Sequence, residues 1–314
     1  MRRVQAVILA LGLSLGMALP VWAEPLKVVS SFSILADMVQ QVGGQHVQST
    51  AIVGPEGDSH HFEPRPSDAR QLGEADLLII NGAQFEEWLP RLMQSANYTG
   101  PVITATAGIT LRAYKAHQTD HDHDADHDHD HGQFDPHAWQ SLTHAQQYIR
   151  TIRDALINAD PAHAQDYTTQ AQDYIQQLQD LQAHVQAQFQ ALNLQQATVV
   201  TAHDAFAYLG QDYGVHFVPL MGATTQAEPS AKELAALIEW MREQGVDAVF
   251  AENMSNPQLL QQLARETGAQ LGQVLYADAL AKAPHPADSY LGLMQWNTQA
   301  LLQALSKQAK ENQQ

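Results

Sequence analysis

Histidine and aspartate supply most of the chemistry legible in this chain. Between residues 117 and 131 they alternate: His117, His121, Asp122, His123, Asp124, Asp126, His127, Asp128, His129, Asp130 and His131, with almost no apolar residue among them. Imidazole and carboxylate are ligands for borderline divalent ions such as Zn²⁺. The tract is therefore a compositional metal signal. Its bland alternative is a solvated acidic loop, because so polar a segment cannot bury enough surface to offset the entropy of ordering it. Asp135-Pro136-His137-Ala138-Trp139 follows and differs in kind. Proline locks its own φ and restricts the residue before it, which is how a single, positioned ligand is held.

Three more positions share a context with His137. His60 or His61 stands in the Gly- and Pro-punctuated loop Gly54-Pro55-Glu56-Gly57-Asp58-Ser59-His60-His61-Phe62-Glu63-Pro64, after a β-branched run from His46 to Val53. His137 comes in the loop after the strand Val102 to Thr104. His203 directly follows the strand Thr198 to Thr201, and Asp278 follows the strand expected over Gln273 to Tyr276. In open α/β sheets ligands bind beyond the carboxyl ends of strands. Three neutral imidazoles and one carboxylate suit tetrahedral Zn²⁺. Taken one by one, each has an ordinary alternative: a solvated loop histidine, or Asp278 as a helix cap. Asp135 either orients an imidazole through its far nitrogen or caps the helix after it. Glu63 is either a partner of the site or a plain surface charge, and Phe62 and Trp139 are packing residues. His46, His144, His163, His184, His216 and His285 have no metal-like setting.

The elements that must position these residues alternate. The pattern predicts strands at Leu26 to Ser30, His46 to Val53, Leu77 to Ile80 and Val102 to Thr104. Helices fall between or after them, at Ile34 to Val42, from Ser67 as a cap, at Phe85 to Ser95 and at Leu142 to Ala159. Asp160-Pro161 reads as a helix start with Asp as cap. Tyr167, Ala171, Tyr174, Leu178, Leu181, Val185, Phe189 and Leu192 then recur at spacings of three and four, one face of a long helix. Run unbroken from Pro161 to Leu192 it would span ~48 Å, a strut between two lobes; a broken pair is the alternative. A second set follows. Strands are expected at Thr198 to Thr201, Phe217 to Leu220, Val246 to Ala251 and Gln273 to Tyr276. Helices are expected at Ala205 to Tyr213, from cap Ser230 to Gln244, at Pro257 to Thr267 and at Ser289 to Lys310. Alternation implies mostly parallel sheets. The fold class is α/β, two lobes joined by one long rigid helix: residues 24–160, a linking helix 161–193, and residues 194–314. The segment Met221 to Glu228, with Gln226 and Glu228, is expected as a loop near the cleft.

Residues 1–23 read as a cleaved leader: Arg2 and Arg3, an apolar run from Val7 to Leu19, then Val21-Trp22-Ala23 as the cleavage site. The run is short for a spanning helix, and no later segment is apolar for ~20 residues. The chain has no cysteine among its 314 residues. Thiolate metal sites, disulfides and a lipid anchor on a cysteine are thereby excluded as expectations. The formal net charge of −18 repels nucleic acid and anionic membrane surfaces and attracts cations.

Four motifs in order resemble one family. Asp58-Ser59-His60-His61-Phe62-Glu63-Pro64, Asp135-Pro136-His137-Ala138-Trp139, Thr201-Ala202-His203-Asp204-Ala205-Phe206 with Tyr208 and Tyr213-Gly214-Val215, and Tyr276-Ala277-Asp278 with Asp288-Ser289-Tyr290 look like the ligand motifs of the ZnuA/TroA-like periplasmic metal-binding proteins of zinc and manganese ABC importers. The likeness covers essentially the whole mature chain and is closest to the zinc-specific AztC type. It implies a single metal between two lobes, held by His60 rather than His61, with His137, His203 and Asp278. It also implies a monomer in the periplasm that serves an inner-membrane permease. Manganese members carry Glu at the third position; His203 supplies nitrogen instead, which favours Zn²⁺ over the harder Mn²⁺. The His/Asp tract stands where zinc members carry a His-rich loop. It departs from them in its regular alternation and is expected to gather zinc weakly or accept it from a periplasmic zinc chaperone. The other readings are a Mn²⁺ or Fe²⁺ carrier, a His-rich metal buffer, and a zinc metallohydrolase with Glu63 or Glu252 as base. The last lacks a His-Glu-x-x-His helix motif.

Overall fold

A computed structural model describes residues 24–114, 133–192, 194, 197–221 and 230–311. The leader, the tract with His117, His121, His123, His127, His129 and His131, and residues 222–229 lie outside them.

The most apolar strands lie innermost, as parallel strands covered on both faces should. β1 (Leu26–Phe32) pairs in parallel with β2 (Val47–Val53) and β3 (Leu77–Ile80), and β3 with β4 (Val102–Thr104), giving the order β2-β1-β3-β4. The second sheet repeats this order with β5 (Thr198–Thr201), β6 (His216–Pro219), β7 (Ala248–Val249) and β8 (Gln270–Leu271), again all parallel, as β6-β5-β7-β8. Flanking helices are α1 (Ser33–Gly43), α2 (Pro66–Gly73), α3 (Leu89–Ala96) and α4 (Leu142–Ala159) in the first half. In the second half they are α6 (Ala207–Tyr213), α7 (Ala231–Gln244), α8 (Pro257–Thr267) and α9 (Tyr290–Glu311). Between the halves runs α5 (Ala164–Ala191), 28 residues and so about 42 Å long. The predicted stripe is buried from Tyr167 to Phe189, but its last member, Leu192, lies past the end of α5 and is exposed. α5 packs on α1 and α4 of one lobe and on α9 of the other, and so joins the two.

Burial divides unevenly. One apolar cluster runs from β1 and α1 through α4 and α5 into α6, the segment Leu275–Ala287 and α9. A second, smaller cluster lies on the far side of the second sheet: Val200, Ala202, Met241, Val246, Val249, Ala251, Leu260, Leu263 and Ala264.

Several local expectations need correction. Ser67 is not the cap of α2; that helix starts at Pro66 after Arg65, and Asp68 Oδ2 accepts the Arg65 N–H at 2.7 Å. α3 begins at Leu89, not Phe85, because Pro90 has no N–H to give and is tolerated only in a first turn. The Asp160 carboxylate accepts from the His163 ring and the Tyr167 hydroxyl, and a 3₁₀ turn, Pro161–His163, precedes α5. α6 begins two residues later than expected, at Ala207. The strand expected over Val246 to Ala251 is only Ala248–Val249, and the one expected over Gln273 to Tyr276 lies earlier, at Gln270–Leu271. Gly272 passes so close to Phe250 that a Cβ there would meet the ring at 2.0 Å. After it the chain rejoins the sheet only as a bridge between Leu275 and Glu252.

Candidate metal centre

His60 lies in the loop that leaves β2. The Asp58 carboxylate accepts the backbone N–H groups of His60 and His61, and Trp88 Nε1 donates to the Ser59 carbonyl at 3.0 Å. The His61 ring turns to Asp58 at 3.0 Å, away from the centre, while the His60 ring stands edge-on to Phe85. His137 is held from three directions. Asp135 Oδ1 takes its backbone N–H and its ring Nδ1, at 3.0 and 2.8 Å. Asn81 Nδ2 donates to the Pro136 carbonyl, and the Tyr208 hydroxyl to the Asp135 carbonyl. Asn81 is fixed in turn by Tyr148, by Thr106 and by the buried Glu86, whose carboxylate takes the Asn81 and Gly82 N–H groups and the Ser31 hydroxyl. Burial pushes the Glu86 pKa up against those bonds.

His203 follows β5 with no turn between. The Glu252 carboxylate accepts the N–H groups of Ala202 and His203 with one oxygen and faces His203 Nδ1 closely with the other. Asp278 follows the Leu275 bridge. Trp139 Nε1 and Gln140 Nε2 both donate to the Ala277 carbonyl, at 2.9 and 2.7 Å.

These four side chains converge. His60 Nε2 and His203 Nε2 lie 3.3 and 3.1 Å from Asp278 Oδ2, and His137 Nε2 lies 3.5 Å from Asp278 Oδ1. The Nε2 atoms of His60 and His137 are 3.4 Å apart, and one ligand atom from each residue falls within 4.8 Å of all the others. A tetrahedron with bonds of 2.0–2.1 Å has edges of about 3.3–3.4 Å, so the spacing suits one zinc-sized ion. His203, His137 and Asp278 are fully buried and His60 nearly so. His203 Nε2 and both Asp278 oxygens are close enough for ion pairing yet aligned for no hydrogen bond. Buried polar atoms are rarely left so; here their lone pairs face a common point.

Electrostatics favour a cation there. Burial alone would lower the His203 pKa, but the charges of Glu252 and Asp278 hold it well above the ordinary histidine value. Burial would raise that of Asp278, yet the histidine charges hold it well below the carboxylate range. The His60 pKa is lowered, chiefly by burial. Asp135 and Glu252 each occupy the Nδ1 of a converging histidine, leaving Nε2 for a ligand, as outer carboxylates do in metal sites.

Neither glutamate considered as a hydrolytic base fits that role: the two oxygens of Glu252 are taken by His203 and two backbone N–H groups, and Glu63 is exposed. Forty-nine residues separate Glu252 from His203, and no local pattern marks the pairing. Glu252→Gln is expected to weaken metal binding about 10–100-fold, read by chelator competition. If the new amide N–H faced His203 Nδ1, it would donate there and leave the ring proton on Nε2, the atom aimed at the centre. A dissociation constant equal to wild type would refute the orienting role.

Comparison with known proteins gives the same frame. Residues 28–304 match the family described as zinc-uptake complex component A, periplasmic. The chain is 30% identical over 272 residues to the iron-binding protein YfeA of Yersinia pestis, covering 87% of this chain and 84% of that one. It is 26% identical over 291 residues to the manganese ABC transporter substrate-binding lipoprotein PsaA of Streptococcus pneumoniae, covering 91% and 90%. The structure of the periplasmic zinc-binding protein TroA from Treponema pallidum superimposes with a TM-score of 0.79 at 25% identity, over 90% of this chain and 99% of that one. These relatives are named as binding components rather than enzymes. No helix among the described residues is long and apolar enough to cross a membrane. With a matched span that runs from the first strand into the last helix, the chain belongs to the zinc-uptake component A family, the periplasmic metal-binding proteins of ABC transporters.

Proposed function

We propose that this protein is a periplasmic zinc carrier that delivers Zn²⁺ to an inner-membrane ABC permease, with His60, His137, His203 and Asp278 as the ligands. The observation that carries the reading is the convergence of three Nε2 atoms and one carboxylate, one atom from each within 4.8 Å of all the others, in a buried cleft. Zinc is favoured over manganese because the set holds three nitrogens and one carboxylate, the donor balance of Zn²⁺ rather than of the harder Mn²⁺. With all four bound no position is left open for a reacting water, which suits carriage rather than hydrolysis. The protein works as a monomer, free of a lipid anchor because it has no cysteine to carry one. Residues 24–160 and 194–314 act as the two lobes and 161–193 as their strut. His117, His121, His123, His127, His129 and His131 gather zinc weakly or receive it from a periplasmic chaperone.

The second reading is a carrier of Fe²⁺ or Mn²⁺, favoured by the metals in the names of YfeA and PsaA. Metal analysis of protein purified from the periplasm separates the two. One tightly held zinc per chain is expected, with weaker extra zinc lost when residues 117–131 are deleted. Iron or manganese in the tight site would overturn the zinc assignment. Unchanged uptake at scarce zinc and unchanged chaperone transfer after the deletion would overturn the role given to the tract.

A further inference from the structure

Lysine and arginine are scarce in this chain, 16 against 34 acidic residues. Between Lys27 and Arg112 there are only Arg65, Arg70 and Arg91, and all three line one groove of about 770 Å³. α2 gives it Ala69 and Arg70, α3 gives Arg91 and Leu92, and the loop after His60 gives Phe62 and Arg65. The floor is apolar. Trp88 and Leu92 are buried, and Phe62 stands edge-on to Trp88 with ring centroids 5.1 Å apart. The three arginines are exposed. Ion pairs are made by Arg112, Arg153 and Arg242; Arg65, Arg70 and Arg91 have none among the described residues. Glu63 is the one acid on the lining. Asp68, next to it in α2, turns its carboxylate to the Arg65 backbone N–H and the Ser67 hydroxyl.

The groove flanks the metal centre. Phe62 is two residues from His60, and Trp88 donates its Nε1 hydrogen to the Ser59 carbonyl. His60 is also the one member of the converging four that is not fully buried. A guanidinium offers forked donors to a carboxylate and stacks on aromatic faces. Arginine beside tryptophan over an apolar floor is the make-up of protein interfaces.

We propose that this groove receives an acidic segment of the permease's periplasmic face, one that carries an apolar side chain among its carboxylates. The carboxylates pair with Arg65, Arg70 and Arg91, and the apolar side chain seats on Phe62, Trp88 and Leu92. The inference deepens the carrier reading above and rests on it. The permease is the occupant because it is the one partner that reading requires at every delivery. A free small anion suits the groove less well. Small-molecule sites place a few polar groups with precision inside an enclosure, whereas these charges stand on exposed side chains from a loop and two helices. The formal net charge of −18 repels an acidic segment elsewhere on the chain, so the groove alone admits it and sets its register.

The test is uptake of radiolabelled zinc at scarce zinc, in cells that lack their own copy of the protein and carry the full chain. Arg70→Glu with Arg91→Glu should lower uptake about tenfold or more, the low end of what steering by charge supplies. Arg70→Lys with Arg91→Lys should keep most of it. The purified charge-reversed protein should hold zinc with wild-type affinity, since the groove contains none of the four ligands, and should unfold at the wild-type denaturant midpoint. Uptake equal to wild type in that variant would overturn the proposal. So would a fall in its zinc affinity or stability large enough to account for the lost uptake. Binding of the wild-type protein to phosphatidylglycerol vesicles, abolished by the charge reversal, would assign the groove to a lipid headgroup instead. If charge reversal costs nothing in a chain lacking residues 117–131, the groove serves the chain's own acidic tract and the proposal falls. A wild-type chain that restores no zinc uptake would remove the carrier reading itself, and this inference with it.

Discussion

His203→Ala is expected to cost zinc affinity more than the about 10–100-fold that loss of an outer carboxylate costs, because it removes a ligand instead of a ligand's support. The ring is fully buried and its Nε2 has no hydrogen-bond partner, so no other protein contact fills the gap. Zinc would be left with His60, His137 and Asp278 and an open position, the coordination of a catalytic rather than a transport site. The substitution also leaves Glu252 buried, still taking two backbone N–H groups but facing a void where the imidazole was. The dissociation constant is read by competition with a chelator of known zinc affinity. A value equal to wild type would show that His203 does not touch the ion. His61→Ala is the natural control: its ring is turned to Asp58, and its affinity should match wild type.

Trp139→Ala is expected to destabilise the metal-free protein by about 3–5 kcal/mol, the range for removing a buried aromatic. The indole is fully buried, with ring centroids 4.9 Å from those of Phe32 and Phe85 and 5.1 Å from that of His137. Its Nε1 binds the Ala277 carbonyl across the two halves. That carbonyl keeps Gln140 as a donor, so the cost is mainly the cavity rather than an orphaned acceptor. Trp139→Phe, which keeps most of the ring, should lose less. Chemical denaturation reads both; a loss below ~1 kcal/mol for the alanine variant would contradict the packing described, since surface positions give changes of that size. Zinc should restore part of the lost stability, because an ion that binds only the folded chain adds stability by mass action.

The four converging residues were legible in the chain because each stands in a segment that follows a strand, His203 two residues past β5 and the others after longer stretches, and strand ends of parallel sheets share one edge. The long strut was legible because its buried positions kept helical spacing from Tyr167 to Phe189. The failures have physical causes. β7 and β8 are two-residue strands, too short for any period to mark them, so the apolar run from Val246 reads as too long a strand and the one expected at Gln273 falls after the real strand. Phe85 and Trp88 resemble helix residues but are wall residues of the cleft, packed on His60, Phe62 and Trp139 before Pro90 permits a helix. The Glu252 pairing and the fastening of the Asp278 segment to the first lobe are long-range contacts between unremarkable residues. Gln140 in particular looks like any polar residue near a helix start.

X-ray absorption of the zinc-loaded protein at the zinc edge tests the central claim most directly. The account predicts a single four-coordinate site with three imidazole nitrogens at about 2.0 Å and one carboxylate oxygen at about 2.0–2.2 Å, the same spectrum with and without residues 117–131, and loss of one imidazole in His203→Ala. A spectrum dominated by water or carboxylate oxygens, or an imidazole signal that disappears with the tract, would place the ion elsewhere and contradict it.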